Sequence, residues 1–407
     1  MQILFCHRSY PAQFRHLASR LACLGHQITF AAEQHSHTHC PWPNGWLIRL
    51  PPPSSDFPVP LSDPLCREWL PSLHRGRCVQ ALLNQLASAD RLPDLVIFQA
   101  GLGYGSLLRA ILPSIPIVAY AEWWFQPDLL HWLVGRVEQE DQCLLNLRNS
   151  LLGQELLISD LAISATDWQY SQFPDILKPR IHIAFDGIDT SFFCPRSLPG
   201  SLLLPCEAGG MIEILPHSLL LTYATRGMEP LRGFPEFVSA LPKLMDLYPD
   251  LQVVIAGRDR QAYSYPAASH GGSWKHACLQ PFLGANWLKR VHFCGLLRYE
   301  HYRELLQRTD LHCSFSRPYV PSWSLMEAAA CGAPLLLNEG PASSGMLPRK
   351  AACRTVNLDD PESVLEGLCA GLAQPLTRHN RQSFLPDAYE LQHCLSRWID
   401  LLSPWLS

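Results

Sequence analysis

Two arginines and a glutamate carry the clearest chemical signal in the chain. In Thr225-Arg226-Gly227-Met228-Glu229-Pro230-Leu231-Arg232-Gly233-Phe234 the arginines straddle a proline and precede a glycine, so the stretch reads as a loop between a strand end and a helix start. Such a loop can aim both guanidiniums at one point, and their fork geometry suits a diphosphate. Two solvated loop arginines are the plain alternative. Their place beyond the carboxyl end of a strand favours a ligand, because anions bind in α/β proteins where strands end and helices begin. Glu327 is the one charged side chain in the run Trp323 to Cys331. Its neighbours Leu325, Met326 and Ala328 to Ala330 mark a largely buried helix, so Glu327 reads as functional rather than as a solvated helix charge.

The scaffold for these groups is read from pattern. A strand over Leu311 to Ser316 stops at Arg317-Pro318-Tyr319-Val320-Pro321, whose prolines bar a central strand. Ser322 suits the N-cap of the Glu327 helix, Gly332 its C′ position, and Pro334 leads into a short buried strand, Leu335 to Leu337. Earlier, a strand over residues 2 to 6, a helix with Phe14, Leu17, Ala18 and Leu21 on one face, and a strand over Gln27 to Ala31 open a doubly wound sheet. A fresh series of strands and helices starts at Leu219 and runs through a polar loop at 258 to 273. At 407 residues the chain exceeds one hydrophobic core. The expected organisation is an α/β protein with a Rossmann-like domain at 1–195, a linker at 196–217, a second such domain at 218–385, and a C-terminal helix at 386–407 that packs back toward the first domain. The two domains would face a cleft.

Composition removes other classes. The formal net charge of -4 gives no reason to expect nucleic acid as a partner. Fifteen cysteines scattered through apolar segments without CxxC spacing read as thiols of a reducing compartment, not as a zinc site or a disulfide framework. The start is too short for a signal peptide, and no apolar run approaches the ~18–20 residues of a membrane span. A cytoplasmic protein is expected, with peripheral contact at the inner membrane face left open.

The first half offers further candidates. Glu122-Trp123-Trp124 follows a strand, where an indole could cover the apolar side of a sugar and Glu122 bind hydroxyls; one tryptophan could equally fill the core. His7, Arg8 and Arg15 flank the first strand-to-helix loop and could hold an anionic acceptor or stay solvated. Gly101, Gly103 and Gly105 imitate a phosphate loop but lack the following Lys-Ser/Thr, so close approach of the backbone to a sugar is the better use.

The motif around Arg226 and Arg232, Arg290-Val-His-Phe-Cys-Gly295, and Ser316-Arg-Pro-Tyr-Val-Pro-Ser-Trp-Ser-Leu-Met-Glu-Ala-Ala-Ala-Cys-Gly332 together resemble the donor half of family-4 (group 1) glycosyltransferases, retaining and metal-independent enzymes of the GT-B fold. His7 to Ala18, Ser164 to Pro174 and Asp186-Gly-Ile-Asp-Thr190 are similar to a bacterial branch of that family, and the resemblance spans roughly residues 1 to 375. It implies transfer of a hexosyl group from a nucleotide diphosphate sugar to a hydroxyl of a glycan or lipid-linked acceptor, as in polysaccharide biosynthesis, with no cofactor. It implies that Arg226 and Arg232 hold and neutralise the leaving diphosphate and that Glu327 binds the donor ribose. Ser322, Trp323 and Ser324 would line the helix start facing the phosphates, and Gly295 and Leu296 the turn that reads the base. The sequence departs from the family at three positions. Tyr319 replaces the first of two glutamates, Gln99 stands where a histidine would face the sugar, and Ser344 stands near an expected glutamate. Gln99 can hydrogen-bond a sugar hydroxyl but cannot act as a base, and the Ser343-Ser344-Gly345 amides could contact the donor. These departures also admit another expectation, a catalytically impaired GT-B module that binds nucleotide or glycan.

Overall fold

The computed structural model describes residues 1–34, 40–53, 64–196, 200–348, 353–373 and 381–406. The chain divides into two compact units. The first comprises Met1–Leu130, Val137–Gly187 and Leu391–Ser407, and the second His131–Arg136 and Ile188–Glu390.

The first unit contains β1 (Gln2–Ser9), α1 (Arg15–Cys23), β2 (Gln27–Gln34), β3 (Trp46–Arg49), α2 (Pro64–Ser88), β4 (Leu95–Gln99), α3 (Leu108–Ile111) and β5 (Ile117–Tyr120). After α4 (Leu130–Val134), most of which belongs to the second unit, it continues with α5 (Gln139–Ile158), β6 (Leu161–Ser164), α6 (Asp167–Ser171) and β7 (Ile181–Ile183). Among the described residues its sheet has seven parallel strands in the order β3-β2-β1-β4-β5-β6-β7. Helices covering both faces explain why Leu95 to Phe98 is apolar without alternation, each residue being wholly buried.

The second unit contains β8 (Leu202–Pro205), β9 (Met211–Ile214), β10 (Leu219–Gly227), α7 (Phe234–Leu247), β11 (Leu251–Arg258), α8 (Trp274–Leu279), β12 (Val291–Gly295) and α9 (Tyr299–Arg308). It closes with β13 (Leu311–Ser314), α10 (Trp323–Ala330), β14 (Leu335–Asn338), β15 (Cys353–Val356) and α11 (Pro361–Ala373). Its main sheet, among the described residues, is six-stranded and parallel in the order β12-β11-β10-β13-β14-β15. The winding reverses between β10 and β13, which makes the carboxyl ends of those strands the place for a ligand. Leu221, Tyr223, Phe237, Ile255, Cys313 and Leu336 belong to the core that holds these strand ends in register. Burying an aliphatic or phenyl side chain of this size is worth roughly 1.5–3 kcal/mol.

Several expected boundaries move. Within the expected linker, residues 200–217 belong to the second unit: Leu202–Pro205 and Met211–Ile214 form the antiparallel β8–β9 hairpin, with Leu202, Leu204 and Ile214 buried and Leu203 between them exposed. The chain leaves the first unit at Gly187 and returns at Leu391, where α12 (Leu391–Leu402) begins. Gly135, at φ +79°, follows the end of α4 and separates it from α5. The strand before the Glu327 helix ends at Ser314. Just beyond it, Asn338 pins the chain at Ser316 by bonding both its amide (2.7 Å) and its carbonyl (2.8 Å). Ser322 takes the N-cap position of α10 without a side-chain bond into the helix. Gly332 ends α10 at φ +65°, and a Cβ there would stand 2.6 Å from the Gln382 carbonyl oxygen, so backbone conformation and space both demand glycine.

Candidate functional site

At the carboxyl ends of β10, β11 and β12 lies a cavity of about 250 Å³, with Thr225, Arg226, Gly257, Gly295, Leu296 and Glu327 among its lining residues. Gly257 lets β10 and β11 approach there: its φ is +133°, and a Cβ would come within 2.0 Å of the Thr225 carbonyl oxygen. Gly295 ends β12, and Leu296 is 70% exposed, an apolar side chain offered at the rim. On the other side Glu327 is buried on α10, one turn from Ser324, whose hydroxyl is hydrogen-bonded to Tyr302 of α9 at 2.5 Å. Burial first, and then the charge of Glu327, hold the Tyr302 phenol well above its ordinary pKa, so it stays neutral beside the carboxylate.

The two arginines have different surroundings. Arg226 is exposed, and its Nη1 donates to the Tyr263 hydroxyl at 3.0 Å. Arg232 is buried, donating through Nη1 to Ser316 Oγ and to the Val320 carbonyl at 3.2 Å. Both guanidinium carbons lie near the Tyr263 ring, at 5.7 and 5.6 Å from its centroid. Cations are crowded here: Arg260 has its pKa lowered by burial first and then by Arg226 and Arg258. An anion bound at these strand ends would relieve that repulsion.

Other sequence-predicted residues have local duties. Trp323 is half-buried at the start of α10. Ser344 Oγ accepts the Gly340 amide at 3.1 Å, and the Gly345 amide donates to the Gly340 carbonyl at 2.9 Å, so both groups serve their own turn. Tyr319 is buried with its ring 5.3 Å from that of Tyr263. Sequence reasoning passed over Tyr263, Tyr302 and Glu229. Glu229 alone carried a signal, lying midway between the two arginines; it is wholly buried, and its Oε2 accepts the amides of Ala262, Tyr263 and Ser264. Arg317, from the same loop as Tyr319, pairs with Glu236 (2.5 Å) and Asp359 (2.8 Å) while its guanidinium covers Trp132 at 3.7 Å.

In the first unit Gln99 ends β4 and accepts the Arg8 amide at 3.5 Å, while the Arg8 side chain is exposed. Glu122 accepts from Gln13 Nε2 at 3.2 Å and is half-buried. Trp123 does not offer a sugar platform: it is 5% exposed, with its ring 5.9 Å from Trp168. The glycine run does not face a ligand either. The amides of Gly101 (2.5 Å) and Gly105 (2.7 Å) donate to the two carboxylate oxygens of Glu155, a wholly buried residue of α5. The loop that resembles a phosphate cradle is filled by the protein's own Glu155 carboxyl group.

Two doubly wound units, the second with a pocket lined by Arg226 and Glu327 at its strand ends, have the architecture of the GT-B fold. Residues 25–193 match the glycosyl transferase family 4 group and residues 235–396 the glycosyl transferase-like family, and the chain belongs to the family-4 (group 1) glycosyltransferases. No curated protein sequence matches it. Similar solved structures include sucrose-phosphate synthase from Thermosynechococcus elongatus, 14% identical, covering 99% of this chain and 98% of that one with a TM-score of 0.67. A glycosyltransferase from Rickettsia africae is 10% identical, with coverage of 100% and 99% and a TM-score of 0.65. The Anabaena protein HepE, solved with UDP-glucose, is 13% identical, with coverage of 99% and 100% and a TM-score of 0.64. At these identities the likeness is one of fold. No helix among the described residues is long and apolar enough to cross a membrane.

Proposed function

We propose that the protein transfers a hexosyl group from a nucleotide diphosphate sugar to a hydroxyl of a glycan or lipid-linked acceptor, with retention of anomeric configuration. The observation that carries this reading is the pocket of the second unit, where Glu327 is buried on one wall and Arg226 stands at another. The base would lie against Gly295 and Leu296, the ribose hydroxyls would donate to Glu327, and the diphosphate would lie toward Arg226 and Arg232. Cations placed where negative charge grows on the leaving diphosphate lower the barrier without a metal ion. Gln99 would hydrogen-bond a sugar hydroxyl. The acceptor's proton would pass to the departing phosphate oxygen on the face that the acceptor attacks, so no protein base is required. Glu122 and Arg8 of the first unit would meet the acceptor. The reaction would take place in the cytoplasm, with peripheral contact at the inner membrane face for a lipid-linked acceptor.

The test is incubation with UDP-, GDP- and ADP-glucose, following donor hydrolysis and transfer to a panel of glycan and lipid-linked acceptors. HepE in complex with UDP-glucose makes UDP-glucose the first choice. Turnover that persists in EDTA is expected, and loss of turnover restored by a divalent cation would overturn the metal-free part. Failure to bind any of the three donors would overturn the site. A second reading, a donor-binding module without transferase activity, draws on Gln99 and on the Ser344 turn, which bonds to itself. Tight donor binding with no turnover on any acceptor would select it.

A further inference from the structure

The loop between β11 and α8 contains no residue that the donor reading uses, yet it lays one aromatic ring against both Arg226, which lines the pocket, and the buried Arg232. Tyr263 accepts a hydrogen bond from Arg226 at 3.0 Å, and its ring centroid lies 5.7 Å from one guanidinium carbon and 5.6 Å from the other. Both distances fall within cation–π range. Its place is fixed from several directions. Glu229, which stands midway between the arginines in sequence, accepts the amides of Ala262 (2.7 Å), Tyr263 (3.1 Å) and Ser264 (3.1 Å). Ser264 Oγ donates to the Trp132 carbonyl, and the Tyr319 ring lies 5.3 Å from that of Tyr263. Arg226, exposed on a flexible stem, would otherwise sample many rotamers and move away from its like-charged neighbours.

We infer that Tyr263 is the positioning residue of the diphosphate subsite: its ring and hydroxyl hold Arg226 and Arg232 together in the arrangement that receives the donor's phosphates. This rests on the donor reading above. Tyr263 acts through the arginines, so its effect belongs to the phosphates and not to the base or ribose.

The experiment is calorimetric titration of the wild type, Tyr263→Phe and Tyr263→Ala with UDP, GDP and ADP and with uridine, guanosine and adenosine, each variant first checked for a cooperative thermal transition. For the base that binds best, Tyr263→Ala should weaken the diphosphate by about tenfold and leave the nucleoside unchanged. Tyr263→Phe keeps the ring and loses the hydroxyl, so a loss of about two- to threefold is expected. Undiminished diphosphate affinity in both variants overturns the inference, as does an equal loss for nucleoside and diphosphate. Should Tyr263→Ala lack a cooperative transition, Tyr263→Phe decides, and unchanged diphosphate affinity in it is the overturning result. A wild type that binds none of the three diphosphates overturns the donor reading and this inference with it, and that arm involves no variant.

Discussion

Arg226 and Arg232 share a motif but not an environment, and the difference predicts how each fails. Arg232 is 7% exposed and supplies hydrogen bonds to Ser316 and Val320 as well as charge. Arg232→Ala should weaken nucleoside diphosphate binding by about 1–3 kcal/mol and also lower the unfolding temperature, because it strips a donor from buried acceptors. Arg226 is exposed. Its removal should weaken diphosphate binding with little change in thermal stability. Calorimetry paired with thermal melts separates the two, and unchanged affinity in both variants would remove the arginines from the donor site. Glu327 can be checked in the same way. Glu327→Ala should erase the preference for a ribonucleoside diphosphate over its 2′-deoxy counterpart, a discrimination of about 1.5–3 kcal/mol for hydrogen bonds to a charged group. A preference that persisted would place the ribose elsewhere.

At the scale of elements, what was legible in the sequence depended on whether the partner was near in the chain. The α10 helix could be read locally from Pro321, the apolar run and Gly332, and Glu327 with it. The run Gly101 to Gly105 could be read as a loop, but the carboxyl group inside it is that of Glu155, supplied by α5 fifty or more residues later. Nothing in a local pattern points to that pairing. The same holds for Tyr263, whose position depends on the burial of Glu229 and on Trp132, far from it in sequence. The Glu155 arrangement has a consequence for stability. Burial pushes its pKa from 4.5 up to about 7, outweighing the loop amides, which pull it down. Above pH 4.5 the unfolded chain releases this proton while the folded chain keeps it, so stability falls as pH rises toward 7 and levels off above. The full effect is about 3 kcal/mol. Urea unfolding from pH 4.5 to 8 should therefore show a downward contribution in the wild type that is absent from Glu155→Gln, the isostere of the protonated form. Parallel pH profiles for the two proteins would show that Glu155 does not titrate in this range.

At the scale of the whole molecule, the order of the chain and the division into units disagree, and the disagreement can be tested. The polypeptide leaves the first unit at Gly187, builds the second through Glu390 and returns to the first at Leu391. The two crossing segments run side by side, with a bridge between Ile188 and Glu390 and a bond from Thr190 Oγ1 to Glu390 Oε1 at 3.2 Å. The returning helix completes the first unit's core. Trp398 is 2% exposed, stacks on Tyr120 with centroids 6.1 Å apart and donates to the Phe185 carbonyl at 3.1 Å. Cys394 and Leu402 are buried beside it on the same amphipathic helix. A chain ending at Glu390 should therefore lose stability in its N-terminal half, although the deletion follows the second unit in sequence. Trp398→Ala alone should cost about 3–5 kcal/mol, as for other buried large-to-small changes. Hydrogen exchange locates the damage: faster exchange in β1, α1 and β5, with β10, β11 and β13 unchanged, is the expected pattern. Nucleoside diphosphate binding should survive the deletion, because the Arg226, Tyr263 and Glu327 constellation and the core beneath it lie wholly within the second unit. Loss of protection confined to β10, β11 and β13 would mean that the final helix stabilises the donor-binding unit instead.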